Sequence, residues 1–495
     1  MNRRPDKQRS ASRRPAGRGK GQGKGQGNGR GRSQSQQDRT VRLPRNAPPL
    51  ELEISHIGGR GDGVGKAEYK HNYITSEHNV FVPASLPGER ILAQPVSIST
   101  QGIRTVPVEI LTASPDRRTP DCAAFPACGG CSFQHWRDEP VTAWKEQVVT
   151  GFLGRAGVAL PEFTPPHVSP RQARRRATFH LKRLAGGVAA GFLERGSDRI
   201  IAPEGCSVLA PPLMTLLANL ADLAADHFPV GLTIDAQANA LDNGICLLLR
   251  GPLGWHDGIL ERLAGWAANA GLARLSVAED MAEPLTLLAP APPVLRFGSI
   301  AVTPPAGAFL QATRDAEAAL QGAVAEICDG ASRVIDLFAG CGTLSLPLLP
   351  KLSHLMVAEA DSAALAALKG AVDGAGLGAQ LECREADLMR APVGTDRLDE
   401  ADAVIVDPPR AGAAAQCERL ASSRVPVIAM ISCNPASFAR DAATLVGGGY
   451  RLDRLRVIDQ FRFASHVEIV AGFRRDDSAA ELASAARRPR PGRQV

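Results

Sequence analysis

Residues 336–349 read DLFAGCGTLSLPLL, directly after the β-branched run that begins at Ser332. Gly340 and Gly342 therefore follow a strand and precede a helix-like segment, where a backbone must come close to a ligand. The third glycine of a dinucleotide fingerprint is missing, because Ser345 stands three residues beyond Gly342. Such a loop suits an adenosine thioether better than a pyrophosphate. Glu359 ends the next strand-like run, LMVAE, nineteen residues after Gly340, where a carboxylate can accept from both ribose hydroxyls. A tight turn plus a surface acid is the plainer reading, but the order of strand, GxG, helix, strand and acid weighs against it.

Outward from this stretch, strand and helix patterns alternate from about Val302 to Phe473, which predicts a doubly wound parallel sheet. ADAVIVDPPR (401–410) puts Asp407 at the C-terminal end of the fourth strand, on the side where such sheets bind ligands. VPVIAMISCNP (425–435) puts Cys433 where a strand meets a helix, with Pro435 suited to the first helical turn. A helix N-terminus is expected to lower a thiol's pKa and favour a nucleophilic thiolate. A lone Cys in such a run is otherwise an inert small hydrophobe.

The 495 residues carry a net charge of +6, unevenly placed: residues 1–45 hold 14 Lys/Arg against 2 Asp/Glu, so that segment is +12 and the remainder −6. With RGKGQGKGQGNGRGR (18–32) at its centre it lacks core-forming residues and is expected to be a disordered basic tail that attracts polyphosphate. No apolar run reaches transmembrane length and no signal peptide is evident, so no membrane association and a cytoplasmic location are expected. Residues 46–112 alternate short strands with glycine turns, as a small β-barrel does. Residues 113–300 read as a mixed α/β middle domain, 301–475 as the α/β domain and 476–495 as a second disordered tail. In PDCAAFPACGGCSFQHW (120–136), Cys122, Cys128 and Cys131 are spaced C-x5-C-x2-C, and Cys206 follows much later; such a set can close around an iron–sulfur cluster or a zinc ion. The other cysteines lie in core-like runs, where ordinary burial accounts for them.

DLFAGCG, DPPR and SCNP, in this order, resemble a class I S-adenosylmethionine-dependent methyltransferase. With HVE at 466–468 they resemble more narrowly the RNA uracil-5-methyltransferase family of tRNA and rRNA. ISHIGGRGDGVGK (54–66) and VFVPASLPGERI (80–91) resemble the TRAM domain, a small OB-like RNA-binding barrel. The resemblance implies a Rossmann-like catalytic domain, an N-terminal OB-like barrel and a middle domain carrying a [4Fe–4S] cluster on Cys122, Cys128, Cys131 and Cys206. It implies Cys433 as nucleophile and Glu468 as general base, with Gln311, Phe338, Glu359 and Asp407 contacting S-adenosylmethionine and Asp387 near the adenine. Thr313 and Thr343 stand where the family often has Asn. RQARRRATFHLKR (171–183) resembles the family's RNA-holding segment through Arg171, Arg174, Arg175, Arg176, Lys182 and Arg183. Phe309 and Phe463 are candidates for stacking on an extruded base.

The implied activity is methylation of C5 of a uridine in structured RNA, rRNA or tRNA, by a monomer. C5 of uracil is too weak a nucleophile to take a methyl group unaided, and thiolate addition at C6 overcomes that. Two other functions compete: amine methylation through DPPR, which would leave Cys433 idle, and a non-catalytic iron–sulfur RNA-binding protein, which would leave Glu359, Asp407, Cys433 and Glu468 without a purpose.

Overall fold

The structure, a computed structural model, describes residues 40–475 apart from 72, 73, 162, 253, 255, 256 and 280. The basic tail up to residue 39 and the segment 476–495 lie outside the described residues. Strand β1 (Val41–Arg42) falls inside the stretch expected to be disordered. It is ordered because it pairs with a barrel strand, and Leu43 N donates to Val96 O at 2.9 Å.

Strands β2 (Leu50–Ile57), β3 (Gly63–His71), β4 (Ile74–Val82), β5 (Arg90–Ser99) and β6 (Gly102–Thr112) follow in a sheet ordered β5-β2-β3-β4-β6. β6 pairs back onto β5, so the sheet closes into a five-stranded barrel with β1 on its flank. Its alternating inward residues, Ile54, Val80, Ile91 and Ile103 among them, are fully buried.

Helix α1 (Asp138–Arg155) works as a strut. Trp144 packs into a small cluster with Ile57 and Phe133 and donates to Ile57 O at 3.3 Å, while Val149 and Leu153 enter the catalytic core. β7 (His167–Val168) pairs with a strand of the catalytic sheet. The middle domain proper is built from β8 (Arg176–Leu184), β9 (Gly187–Leu193), β10 (Ile200–Ile201), α2 (Pro211–His227), β11 (Thr233–Leu241), β12 (Gly244–Arg250), α3 (Asp257–Asn269), β13 (Arg274–Ala278) and β14 (Leu285–Leu288). Its seven-stranded sheet is covered by α2 and α3 through Leu213, Leu220, Ile259 and Leu263.

The hairpin β15 (Leu295–Phe297) and β16 (Ile300–Val302) buries its apolar residues in the catalytic core, ahead of the boundary expected at 301. Then come α4 (Arg314–Ile327), β17 (Arg333–Leu337), β18 (His354–Glu359), α5 (Ser362–Gly374), β19 (Leu381–Glu385), α6 (Thr395–Leu398), β20 (Ala403–Val406), α7 (Ala414–Ser422), β21 (Val427–Ser432), α8 (Pro435–Gly447), β22 (Tyr450–Asp459) and β23 (Glu468–Arg475). The sheet order is β19-β18-β17-β20-β21-β23-β22-β7, parallel from β19 to β21, with β23 antiparallel to both neighbours. The doubly wound sheet read from the alternation is present. Packing, however, assigns α1, β7 and the β15–β16 hairpin to the catalytic unit, although α1 and β7 precede residue 301 in the chain and the hairpin begins before it.

Candidate active site

The C-terminal ends of β17, β18, β20 and β21 converge on one edge of the sheet. After β17, Phe338, Gly340 and Gly342 all take positive φ (63°, 53° and 84°). A Cβ added at Gly342 would stand 2.6 Å from Leu346 Cγ, whereas one at Gly340 would meet nothing within 4 Å. Gly342 is thus required by packing, and Gly340 leaves open space where a ligand can approach. Gly340 N donates to Glu359 Oε2 at 2.8 Å, and Glu359 Oε1 accepts from Ala360 N and Asp361 N at 2.7 and 2.9 Å. Three backbone donors hold this carboxylate at the end of β18 and leave lone pairs for hydroxyl donors. Asp387 is exposed beyond β19. Thr313 caps α4, accepting from Ala316 N at 3.3 Å, so it retains the capping role that Asn would fill.

Behind the loop lies Asp336, which the motif reading passed over. It is buried, and burial pushes its carboxyl up to about 7, against the Ser345 hydroxyl and with the nearby charges of Asp407 and Glu359 adding. Burial likewise pushes Asp407, directly after β20, up to about 7.

Cys433 follows β21 and precedes Asn434, the N-cap of α8, whose side chain accepts from Ala436 N at 3.1 Å. Pro435 occupies the first turn, as the sequence suggested. The expectation of a lowered thiol pKa is not met: burial pushes Cys433 up, and the carboxyls of Glu468 and Asp407 add to this against the Arg410 guanidinium. Desolvation and two neighbouring acids outweigh the helix N-terminus. Glu468 opens β23; burial, with Asp407 adding, raises its carboxyl to about 8, against the hydrogen bond from Gln460 and the charge of Arg410. Ser432 pairs with Ile469 across β21 and β23, which sets Cys433 beside Glu468, and the charge of Asp407 acts on both, so the three groups share one locus.

Gln311 reaches this locus through a residue the sequence reading missed. Gln460 Nε2 donates to Gln311 Oε1 at 2.7 Å and to Glu468 Oε2 at 2.9 Å, and Gln460 Oε1 accepts from Ala312 N at 2.6 Å. All three side chains are buried. The available signal was a polar residue at the end of an apolar strand, in VIDQF (457–461). Arg410 and His466 were also passed over. Arg410 Nη2 lies 3.0 Å from His466 Nδ1, and burial together with the charges of Arg410, Lys145 and Arg174 lowers the imidazole's pKa, so the neutral ring accepts.

A cleft of about 740 Å³ opens beside Cys433, between Arg60 of the barrel, Phe192 and Arg195 of the middle domain, and Arg410 and His466 of the catalytic domain. The basic segment 171–183 serves this cleft less directly than expected. Arg175 is buried, ion-paired to Glu317, and donates through Nε to Gln311 O at 3.2 Å; Arg176 Nη1 donates to Leu310 O at 3.1 Å. These arginines brace the segment that carries Gln311, between β16 and α4, whereas Arg171 and Lys182 are exposed. Phe309 is 65% exposed with the Arg176 guanidinium 4.3 Å from its ring centre, a geometry open to a stacking base. Phe463 is 1% exposed with three guanidiniums around its ring, which removes it as a stacking candidate.

Cys122, Cys128, Cys131 and Cys206 are buried free thiols from two loops, between β6 and α1 and between β10 and α2, and they lie close enough to act on one another's charge. Burial raises Cys128 and pushes Cys131 up to about 12, with the charges of the other members adding. Gln134 Nε2 donates to Cys131 Sγ at 3.3 Å, and the thiols in turn act on the Arg174 guanidinium. Among the described residues no group of three His, Cys, Asp or Glu side chains is spaced to hold a metal ion. The loop carrying Cys131 docks on the catalytic domain: Ser132 N and Phe133 N both donate to Phe463 O, at 2.6 and 2.9 Å.

The family model described as tRNA (uracil-5-)-methyltransferase matches residues 394–474, which include Asp407, Cys433 and Glu468. A 23S rRNA (uracil(1939)-C(5))-methyltransferase, RlmD, of Chromohalobacter salexigens is 33% identical over 88% of this chain and 91% of its own length. The chain belongs to the RNA uracil-5-methyltransferase family. An RNA methyltransferase of Caulobacter vibrioides is 36% identical over 86% of this chain and 100% of its own length. The crystal structure of the tRNA (uracil-54, C5)-methyltransferase of Pyrococcus abyssi, in complex with S-adenosyl-L-homocysteine, superposes with a TM-score of 0.65 at 20% identity, covering 86% of this chain and 99% of that one. The fold of this family member is therefore that of a class I methyltransferase with an N-terminal β-barrel. No helix among its described residues is long and apolar enough to cross a membrane.

Proposed function

We propose that this chain transfers a methyl group from S-adenosylmethionine to C5 of a uridine in structured RNA through a covalent Cys433 adduct. The observation that carries the reading is the meeting of Cys433, Glu468 and Asp407 at one end of the sheet, beside a cleft bordered by all three domains. Amine methylation has no use for a thiol in that position.

The Cys433 thiol gives its proton to solvent water in the cleft and the thiolate sulfur adds to C6, moving the C5–C6 π pair onto C5. The cofactor supplies an electrophilic methyl group on a sulfonium; C5 bonds to that carbon as the S–CH3 bond breaks. Glu468, ionised, then takes the proton from C5, the double bond re-forms, and Cys433 leaves from C6. Gly340, Phe338, Glu359, Asp407 and Gln311 are placed to hold the cofactor. Arg60, Arg195 and Arg410 give the cleft the positive lining that a phosphate backbone favours. Ribosomal RNA is the preferred substrate class, on the similarity to the 23S rRNA enzyme.

In this reading the four buried thiols, which act on one another's charge, supply the all-sulfur donor set of a [4Fe–4S] cluster, with Arg174 beside them to offset its negative charge. The cluster's place is structural, holding the Cys131 loop against Phe463.

Labelled cofactor and a denaturing gel test the reading. Cys433→Ala should give neither 5-methyluridine nor a covalent RNA adduct, and Glu468→Gln should accumulate methylated RNA bound to Cys433. Appreciable 5-methyluridine from Cys433→Ala would overturn the covalent route.

A further inference from the structure

We infer that Gln460 is a positioning residue that sets the orientation of Gln311 and of the Glu468 carboxyl together, so that Gln311 presents hydrogen-bond donors to an oxygen acceptor in the site. This rests on the uridine-methylating reading above. A backbone N–H can only donate. Ala312 N lies 2.6 Å from Gln460 Oε1, which fixes that atom as the oxygen and Nε2 as the amino group. The two N–H bonds of Nε2 are both used, one on Gln311 Oε1 at 2.7 Å and one on Glu468 Oε2 at 2.9 Å.

Gln311 therefore turns its oxygen to Gln460 and its amino group away, and no described residue accepts from Gln311 Nε2. A donor pair at this place matches an oxygen with free lone pairs. Two such oxygens belong to the reaction: the O4 carbonyl of the pyrimidine, which cytosine replaces with an amino donor, and the methionine carboxylate of the cofactor. The reversed Gln311 amide would set its NH2 against the NH2 of Gln460, so the relay excludes that orientation. The rest of the surroundings keep Gln460 in place: Lys145 and Phe461 N hold the preceding Asp459, and Arg175 holds Gln311 O.

Gln460→Met keeps chain length and apolar packing but removes both donors. Glu468 then loses a bond that stabilises its ionised form, so the acidic limb of the pH–rate profile should move upward by about one unit, with kcat falling roughly tenfold or more. Gln460→Glu keeps an acceptor for Ala312 N–H and offers an oxygen to Gln311, which should turn its amide and its oxygen toward the acceptor site. Titration with S-adenosylhomocysteine alone and competition between uridine- and cytidine-containing RNA separate the two acceptors. Weakened cofactor binding identifies the carboxylate, and a reduced preference for uridine identifies O4.

Should Gln460→Met fail to fold, Gln460→Glu reads the same pH limb and both binding arms. A uniform loss of rate at every pH, with cofactor affinity and base preference unchanged, would overturn the positioning role, as would wild-type behaviour. A wild-type protein that forms no 5-methyluridine would instead sink the functional reading, which separates the two failures.

Discussion

Lys145 Nζ lies 2.6 Å from Asp459 Oδ1, and the two side chains are 0% and 3% exposed. The pair joins the strut helix to the residue next to Gln460. Burial lowers the Lys145 pKa while the Asp459 charge opposes this, so the ammonium depends on its partner. Lys145→Met should cost about 3–5 kcal/mol in urea unfolding, because Asp459 is left buried and unpaired. Replacing both, as Lys145→Met with Asp459→Leu, should recover much of that loss; equal losses from the single and double variants would show that the pair's charge is not what matters.

The raised carboxyl of Glu468 sets a pH dependence. A group pushed up to about 8 is mostly neutral at lower pH and becomes a base as pH rises through that value. The rate of 5-methyluridine formation under kcat/KM conditions should therefore climb toward an acidic-limb pKa near 8. Arg410 lowers that pKa, so Arg410→Gln should move the limb further up. A limb at the ordinary carboxylate value in both proteins would place the base elsewhere.

Two neighbouring glycines should respond differently to the same methyl group. Gly342→Ala meets Leu346 at 2.6 Å and a φ of 84°, so it should lower stability by about 1–3 kcal/mol. Gly340→Ala meets no protein atom, so it should cost only the roughly 1 kcal/mol of backbone strain that a φ of 53° imposes, while weakening S-adenosylhomocysteine binding. Calorimetry on both variants reads the contrast; unimpaired binding by Gly340→Ala would move the cofactor off this loop.

Anaerobically purified protein should contain iron and acid-labile sulfide. Removing the iron should loosen the loop that donates to Phe463 O, seen as faster amide exchange at Ser132 and Phe133. Zinc without sulfide would reject the cluster.

The catalytic half was legible because its signals are local. Gly340 and Gly342 answer to backbone conformation, Pro435 to the first helical turn and Glu359 to the end of a strand. What escaped reading depends on contacts between distant segments. Arg175 looks like any surface arginine until Glu317 and Gln311 enclose it, and Gln460 acquires meaning only from Ala312, 148 positions away. Nothing in the two residues of β7 announces that they belong to a sheet formed much later in the chain. The thiol of Cys433 was misjudged for a related reason: its helix N-terminus is local, but the two carboxyls beside it arrive from other strands.

The pairing of His167 with Ile458 bears on how the protein is made. The two residues are 291 positions apart, and at about 5–20 residues per second the ribosome needs roughly 15–60 s to supply the second after the first. Through that interval the apolar face of α1, with Val149 and Leu153, has no catalytic core to cover it. The barrel and the middle sheet can form during synthesis, and the catalytic sheet closes only when the final strand has left the exit tunnel. Nascent chains stalled before β22 should therefore engage chaperones through α1, and release should follow once β23 is complete.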